Sequence, residues 1–252
     1  NASMNFREAL SRFATESTKY HKQPKPQDKD LKALVKCFVD IRSKLKPVFK
    51  FFFIEKFQNS ADWFVSRLRY AQHCATNSIV GHILGIGDRH LNNILIDVTT
   101  GEVIHIDLGI AFGQGKALPI IERVPFRLTN EIIDGMGWMG KEGIFRPACE
   151  TSMKVLRSNQ EYLLTILKVL MCDPLYNWVI VPPKNKEKHA VRSSNENKNQ
   201  YAENVIFECK RKLEGRETGE MLSVEGQVAR LINDATNVEN LALMFHGWKP
   251  IL

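Results

Sequence analysis

Cysteines are few and unpaired in this chain: Cys37, Cys74, Cys149, Cys172 and Cys209 form an odd, widely scattered set of five with no Cys-x-x-Cys spacing. Such a set argues against a disulfide framework or a zinc site and for a reducing compartment. Long hydrophobic runs are also lacking. Nothing approaches the roughly 18 apolar residues that a membrane-spanning helix needs, and the densest patch, Phe51–Ile54, is far too short. No basic segment followed by an apolar one opens the chain, so no signal peptide is visible. The first residue is Asn1, and the chain reads as a fragment of a longer protein. There is no internal repeat, and only two short runs are rich in β-formers.

What remains is the composition of an ordinary globular protein, with 44% hydrophobic and 25% charged residues. At 252 residues it can bury a substantial core. The formal net charge is +7, part of it in "KNKEK" at Lys184–Lys188. Without interleaved aromatics that run reads as a solvated loop rather than a nucleic-acid surface.

Residues 1–30 are polar and end in "HKQPKPQDKD", so they are expected to form a loop or linker. A helical pattern follows from Asp30 through Leu31, Leu34, Val35, Phe38, Val39 and Ile41, and Pro47 interrupts what comes next. Ser60 is placed to cap a helix from Ala61 towards Val80, with Trp63, Phe64, Leu68, Ala71 and Ala75 on one face. "NILID" (Asn93–Asp97) and "VIHID" (Val103–Asp107), joined through Gly101, predict a β-hairpin. Leu108–Pro125 is a loop long enough to be functional. Helical spacing resumes at Thr129 and across Cys149–Met171. Residues 182–204 read as a polar linker, 182–220 as that linker with a connecting helix, and two short amphipathic helices follow. The predicted fold is therefore mostly α with one small β-hairpin.

"GMGWMGKEG" (Gly135–Gly143) superficially matches a phosphate-binding loop. That chemistry needs a preceding strand, a helix opening at Gly-Lys and a hydroxyl after the Lys. Here a short helix precedes it and Glu142 replaces the hydroxyl, while Gly143 and Pro147 should stop any following helix. The stretch reads as a helix-ending turn with Gly135 or Gly137 at its close and Met136, Trp138 and Met139 as packing residues.

The chemistry concentrates in "GIGDRHLNNILIDVTTGEVIHIDLG", Gly85–Gly109. Asp88 and Asn93 have the D-x-x-x-x-N spacing of a protein-kinase catalytic loop, and Asp107 follows the hairpin as a metal-binding Asp would. Asn93 opens the first strand and Asp107 closes the second, which makes them neighbours in an antiparallel pair. An amide oxygen and a carboxylate side by side suit Mg²⁺ bridging nucleotide phosphates. Asp88 would face the same point and could orient an acceptor hydroxyl or take its proton. His90 could assist proton transfer or stabilise charge on the transferring phosphoryl group. Each motif alone is commonplace; Arg89 can also be an ion-pair partner of a nearby carboxylate, and His90 a satisfied core histidine.

"GDRHLNNILID" joined to "VIHIDLGIAF" and "VPFRLT" resembles the phosphatidylinositol 3-kinase-related protein kinases, whose order is Asp-Arg-His rather than His-Arg-Asp. "HIDLGIAFGQGK", "VPFRLTNEIIDGMG", "EGIFR" and "LLTILKVLMCDPLYNW" are most similar to the ATM branch of that family. "LSVEGQVARLINDATNVENLALMFHGW" is similar to its C-terminal FATC module. The resemblance covers about residues 45–180 and 221–252. It implies a protein-kinase-like, phosphatidylinositol 3-kinase-type C-lobe over 31–181, with a catalytic loop at 85–93, an activation segment at 105–129 and a FATC module at 221–252. It further implies Asp88 and His90 as catalytic residues and Asn93 and Asp107 as Mg²⁺ ligands (Mn²⁺ being an alternative ion). Leu95 and Ile106 would form the apolar floor under the adenine of ATP. The implied activity is phosphorylation of Ser or Thr followed by Gln in protein substrates, in nuclear DNA-damage and telomere-maintenance signalling. The implied partners are a double-strand-break sensor complex and a second copy of the full-length protein, with no membrane. Lipid kinases share the Asp-Arg-His order, but Leu108–Pro125 carries only Lys116 and Arg123 as cations, too few for a polyanionic head group. A pseudokinase scaffold would be expected to have lost Asp88, Asn93 or Asp107. Two features depart from the pattern. The chain ends in Pro250, Ile251 and Leu252 where the family keeps an aromatic, and nothing before Gly85 supplies a β-rich N-lobe with a phosphate-cradling loop and Lys. The chain is thus expected to be a C-lobe without an N-lobe, inactive by itself.

Overall fold

The computed structural model describes residues 5–23, 26–171 and 196–252. Its ten helices among those residues are α1 (Phe6–His21), α2 (Asp28–Lys44), α3 (Lys50–Lys56), α4 (Ser60–Leu84), α5 (Asn130–Gly135), α6 (Phe145–Ser158), α7 (Gln160–Met171), α8 (Glu196–Leu213), α9 (Val224–Thr236) and α10 (Val238–Ala242). Between α4 and α5 lie two strands, β1 (Ile94–Ile96) and β2 (Val103–His105), paired antiparallel with Leu95 opposite Ile104. The expected mostly-α chain with one hairpin is what forms, and no strand precedes β1 among the described residues.

The helix α4 organises the larger core. Asn59, rather than Ser60, caps it, its side chain accepting the N–H groups of Ala61 and Asp62. Gly85 ends it in the left-handed conformation at φ 62°. Tyr70, Ala71, Cys74, Ala75, Ile79 and Ile83 form its buried stripe, whereas Phe64, expected on that face, is exposed. That stripe packs against α6, the hairpin and α8, and α9 joins the same core through α6. The hairpin lies against α4 through Gly101, at φ 78°, where a Cβ would come within 2.8 Å of the Ser66 carbonyl. Asn77 adds a hydrogen bond from Nδ2 to the Val103 carbonyl at 3.0 Å. The start of α3 is held by acidic side chains of α5: Glu131 accepts the N–H groups of Val48 and Phe49, and Asp134 that of Lys50. These carboxylates satisfy donors that a helix start leaves orphaned.

Several expectations are corrected. Residues 6–21 are helix, not loop: Ala9, Phe13 and Ser17 recur every fourth residue and are buried. Their partners are α2 and the turn at Trp248, and α10 joins through α2, so that Phe38, Ile41, Leu241 and Ile251 complete a second core. Pro147 does not stop a helix, because it lies in the first turn of α6, where no intrahelical bond needs its N–H. Gly137 does close α5, at φ 92°, but that left-handed residue reverses the chain and turns the next side chains outward. Met136 is buried, while Trp138 is 94% and Met139 56% exposed, so only the first of the three packs. Residues 196–204, read as linker, begin α8; the remainder of that reading, 182–195, lies outside the described residues. The terminal module forms the two expected helices, α9 and α10, followed by a 3-10 turn at His246–Trp248.

Candidate active site

The loop between α4 and β1 is pinned from below. Gly85 and Gly87 exchange backbone hydrogen bonds with the segment after the hairpin: Gly113 N to Gly85 O at 3.0 Å and Gly87 N to Ile110 O at 2.8 Å. Contact is close enough that a Cβ on Gly85 would lie 2.5 Å from the Gly113 nitrogen. Residues 85–93 and 108–125 are therefore one layered unit, the first lying on the second.

Asp88 adopts φ 56°, a left-handed conformation that costs a residue with a Cβ roughly 1–2 kcal/mol. Both of its peptide groups are engaged. Its carbonyl accepts Nδ2 of Asn93 at 2.9 Å, and its N–H donates to Oε1 of Glu122 at 2.6 Å. The Asp88 side chain stays 39% accessible. Asn93 is buried at the end of a 3-10 turn, Leu91–Asn93, one residue before β1. Its amide nitrogen is committed to Asp88, which leaves the amide oxygen as the acceptor available to a ligand. Strand pairing continues one rung past β1, with Ile106 N donating to Asn93 O at 3.1 Å. Asn93 thus sits opposite Ile106, and Asp107 follows at φ 54°, exposed, its Oδ1 accepting Gly109 N–H.

Arg89 ties these pieces together. It is 4% exposed, and it donates from Nε to the Gly87 carbonyl, from Nη1 to that of Ile106 and from Nη2 to that of Asp107. It is therefore a clamp on backbone carbonyls, not the carboxylate partner weighed from the sequence. Burial lowers its pKa, and Asp88, Asp107 and Glu122 oppose that shift. His90 is 32% accessible, so it is not a core histidine. Its Nδ1 accepts the Asn92 N–H at 3.2 Å, which places the proton of the neutral ring on Nε2, 3.9 Å from Asp88 Oδ2.

Leu95, Ile104 and Ile106 share the outer face of the hairpin and are 45%, 49% and 40% exposed. An apolar patch beside hard oxygen donors is what an adenine nucleotide requires. The oxygen donors of Asn93 and Asp107 fit a hard divalent cation. Among the described residues no group of three or more His, Cys, Asp or Glu could hold a metal alone, so phosphates and water would complete such a shell. On the other side of Asp88 a cleft opens between Ile110, Leu118 and Ile120 of the loop and Phe245 and Trp248 near the end of the chain.

Two functional candidates escaped sequence reasoning. Glu122, a lone acid between Lys116 and Arg123 in the sequence, reaches the Asp88 backbone. Arg127, 4% exposed, lies 4.2 Å over the Trp248 ring and donates to the carbonyls of Trp248, Lys249 and Leu252 and, at 3.5 Å, of Arg89. Burial pulls its pKa down to about 9. The "FRLT" run carried the only signal, a cation inside an otherwise apolar segment.

Residues 3–180 match the family described as phosphatidylinositol 3- and 4-kinase, and residues 221–252 match the FATC domain. The first match begins well before residue 45 and so takes in α1 and α2. The chain is 47% identical over 224 residues to the serine/threonine-protein kinase ATM of Arabidopsis thaliana, covering 84% of this chain and 6% of that protein. It is 44% identical over 250 residues to the serine-protein kinase ATM of Sus scrofa, covering 90% of this chain and 8% of that one. The solved "FAT and kinase domain of CtTel1" superposes with a TM-score of 0.81 at 37% identity, over 96% of this chain and 16% of its own. "Complete CtTel1 dimer with C2 symmetry" gives the same TM-score and identity over 8% of its length. The chain spans less than a tenth of the length of these curated relatives. Over most of its own length it belongs to the phosphatidylinositol 3- and 4-kinase family, in homology with the ATM and Tel1 serine/threonine kinases, and it ends in a FATC domain.

Proposed function

We propose that this chain is the C-lobe and FATC module of an ATP-dependent serine/threonine protein kinase, with residues 85–93 as catalytic loop and 105–129 as activation segment. The observation that carries this reading is the joining of Asp88, Asn93 and Asp107. Asn93 bonds the Asp88 carbonyl, and Arg89 bonds the carbonyl of Asp107. Asn93 and Asp107 would hold Mg²⁺ or Mn²⁺, which when bound neutralises charge on the β- and γ-phosphates. Leu95 and Ile106 would floor the adenine. Asp88 orients the acceptor hydroxyl and receives its proton as the oxygen–phosphorus bond forms and the bond to the departing ADP oxygen breaks. His90, with Nε2 turned to Asp88, adds positive polarity beside the transferring group. The cleft between the activation segment and Phe245 and Trp248 gives room for substrate residues flanking the acceptor.

The similarity to serine/threonine-protein kinases supports a protein rather than a lipid acceptor, as does the scarcity of cations in 108–125. A following Gln, DNA-damage and telomere signalling, nuclear location and recruitment through a double-strand-break sensor rest on the ATM-type resemblance. Homodimerisation of the full-length protein is supported by the twofold arrangement named for CtTel1. The test is phosphoryl transfer by the full-length kinase onto Ser-Gln peptide, Ser-Ala peptide and phosphatidylinositol vesicles, with and without Asp88→Ala. Peptide activity that prefers Ser-Gln and drops about 1000-fold in the variant is expected. Transfer to vesicles alone would refute the protein-kinase reading. The 1–252 chain alone is expected to show no Asp88-dependent transfer.

A further inference from the structure

Glu122 lies in the middle of the activation segment, thirty-four residues from Asp88 in the chain. Its carboxylate is turned inward beneath the catalytic loop, with Oε1 accepting the Asp88 N–H at 2.6 Å. The site is built around that carboxylate. A Cβ on Gly87 would come within 2.5 Å of Oε2, and one on Gly115 within 2.3 Å, so two glycines from two different segments make the space it fills. Its own N–H returns to Gly115 O at 3.3 Å, closing the loop from 115 to 122 around it. No cation forms an ion pair with it among the described residues, and Arg89 spends its donors on carbonyls. A half-buried carboxylate without an ion pair still loses hydration that its hydrogen bonds must replace. Burial raises its pKa; the Asp88 N–H bond opposes that shift, the Asp88 charge adds to it and the Arg89 charge offsets it.

Asp88 is held in a conformation that a residue with a Cβ avoids. Of the two hydrogen bonds on its peptide groups, one is accepted from Asn93, next to β1, and the other is donated to Glu122, on the segment opposite. Without an acceptor at Oε1 the partly buried Asp88 N–H loses its protein partner and the backbone is free to relax towards the ordinary right-handed or extended regions. That relaxation would swing the Asp88 carboxylate away from the acceptor hydroxyl.

We propose that Glu122 is a positioning residue of the phosphoryl transfer, fixing Asp88 in its left-handed conformation and coupling the shape of the activation segment to the catalytic carboxylate. This rests on the reading of Asp88 as the group that orients the acceptor. It predicts that any displacement of residues 113–122 which withdraws Glu122 weakens turnover without touching the nucleotide-holding oxygens of Asn93 and Asp107.

The test uses full-length kinase with Glu122→Ala, Glu122→Gln and, in parallel, Asp88→Asn, measured by steady-state peptide phosphorylation and ATP binding. Glutamine keeps an acceptor at Oε1 and alanine removes it. The expected result is a kcat lowered about 100-fold in Glu122→Ala, as for small misplacements of a reacting group. The KM for ATP should stay within about twofold, and Glu122→Gln should recover kcat to within about fivefold of wild type. A kcat for Glu122→Ala within about threefold of wild type overturns the proposal. So does a loss of ATP affinity alongside kcat in both variants, which marks a general structural role. If Asp88→Asn itself remains active, the underlying reading of the site falls and this inference falls with it. An inactive Asp88→Asn beside a fully active Glu122→Ala refutes the Glu122 inference alone.

Discussion

Replacing Arg127 with Met should release the end of the FATC module while leaving the rest of the chain folded. Met keeps most of the apolar stem and removes the guanidinium that stacks at 4.2 Å on Trp248. It also removes bonds of 2.6, 2.8 and 2.9 Å to the carbonyls of Trp248, Lys249 and Leu252. A hydrogen bond to a charged group is worth roughly 1.5–3 kcal/mol. The three together exceed the net loss, because the substitution also recovers the cost of burying a cation whose pKa has fallen to about 9. A net of about 3 kcal/mol is reasonable for breaking such a buried set. At about 1.4 kcal/mol per tenfold, that raises the local opening equilibrium on the order of 100-fold. Hydrogen exchange reads this directly at the amides of Trp248, Lys249 and Leu252, which donate to Phe245, His246 and Lys249 carbonyls. Those three should exchange about 100-fold faster, and the α4 amides should not change. Arg127→Lys should fall between, since one ammonium cannot span three carbonyls as a planar fork does. Exchange within about threefold of wild type in Arg127→Met would refute the claim that Arg127 anchors this end of the chain.

Three further outcomes follow from packing and charge. Met153 is 0% exposed, and Met153→Ala should lower unfolding free energy by about 2–5 kcal/mol in urea titration. Gly101→Ala should cost about 1–3 kcal/mol, from the left-handed φ and the 2.8 Å approach to Ser66 O; an unchanged urea midpoint would contradict that hairpin docking. Glu217 is opposed by its burial, but the His82 bond and the charges of His82, Arg230 and Lys212 bring its pKa down to about 2. The folded value lies below the unfolded one, so its contribution is complete above about pH 4.5 and lost as pH falls towards 2, at about 1.4 kcal/mol per unit. Glu217→Gln should therefore flatten the acid limb of stability against pH.

The arrangement of the candidate site was legible because its residues are local. Asp88, Asn93 and Asp107 lie within one hairpin and its entry loop, so spacing alone brings them together. The helices α4, α9 and α10 were legible from apolar periodicity. The helix α1 was not, because its stripe of Ala9, Phe13 and Ser17 is short and includes a serine. It is buried by α2 and by residues more than two hundred positions later, around Leu241 and Trp248. The exposed Trp138 was misread for a related reason: composition marks a large aromatic as packing, whereas the φ of Gly137 decides which way it points. Glu122 and Arg127 act on backbone groups of distant loops, and no periodic pattern records such contacts.

The central claim is that Asp88 serves phosphoryl transfer from a site whose metal ligands are Asn93 and Asp107. Single-turnover transfer from ATP to a Ser-Gln peptide by full-length kinase carrying Asp88→Asn, with ATP and Mg²⁺ binding followed in the same samples, tests it most directly. Transfer should be slowed about 1000-fold with nucleotide and metal binding unchanged. Transfer at the wild-type rate, or loss of metal binding in step with transfer, would contradict it.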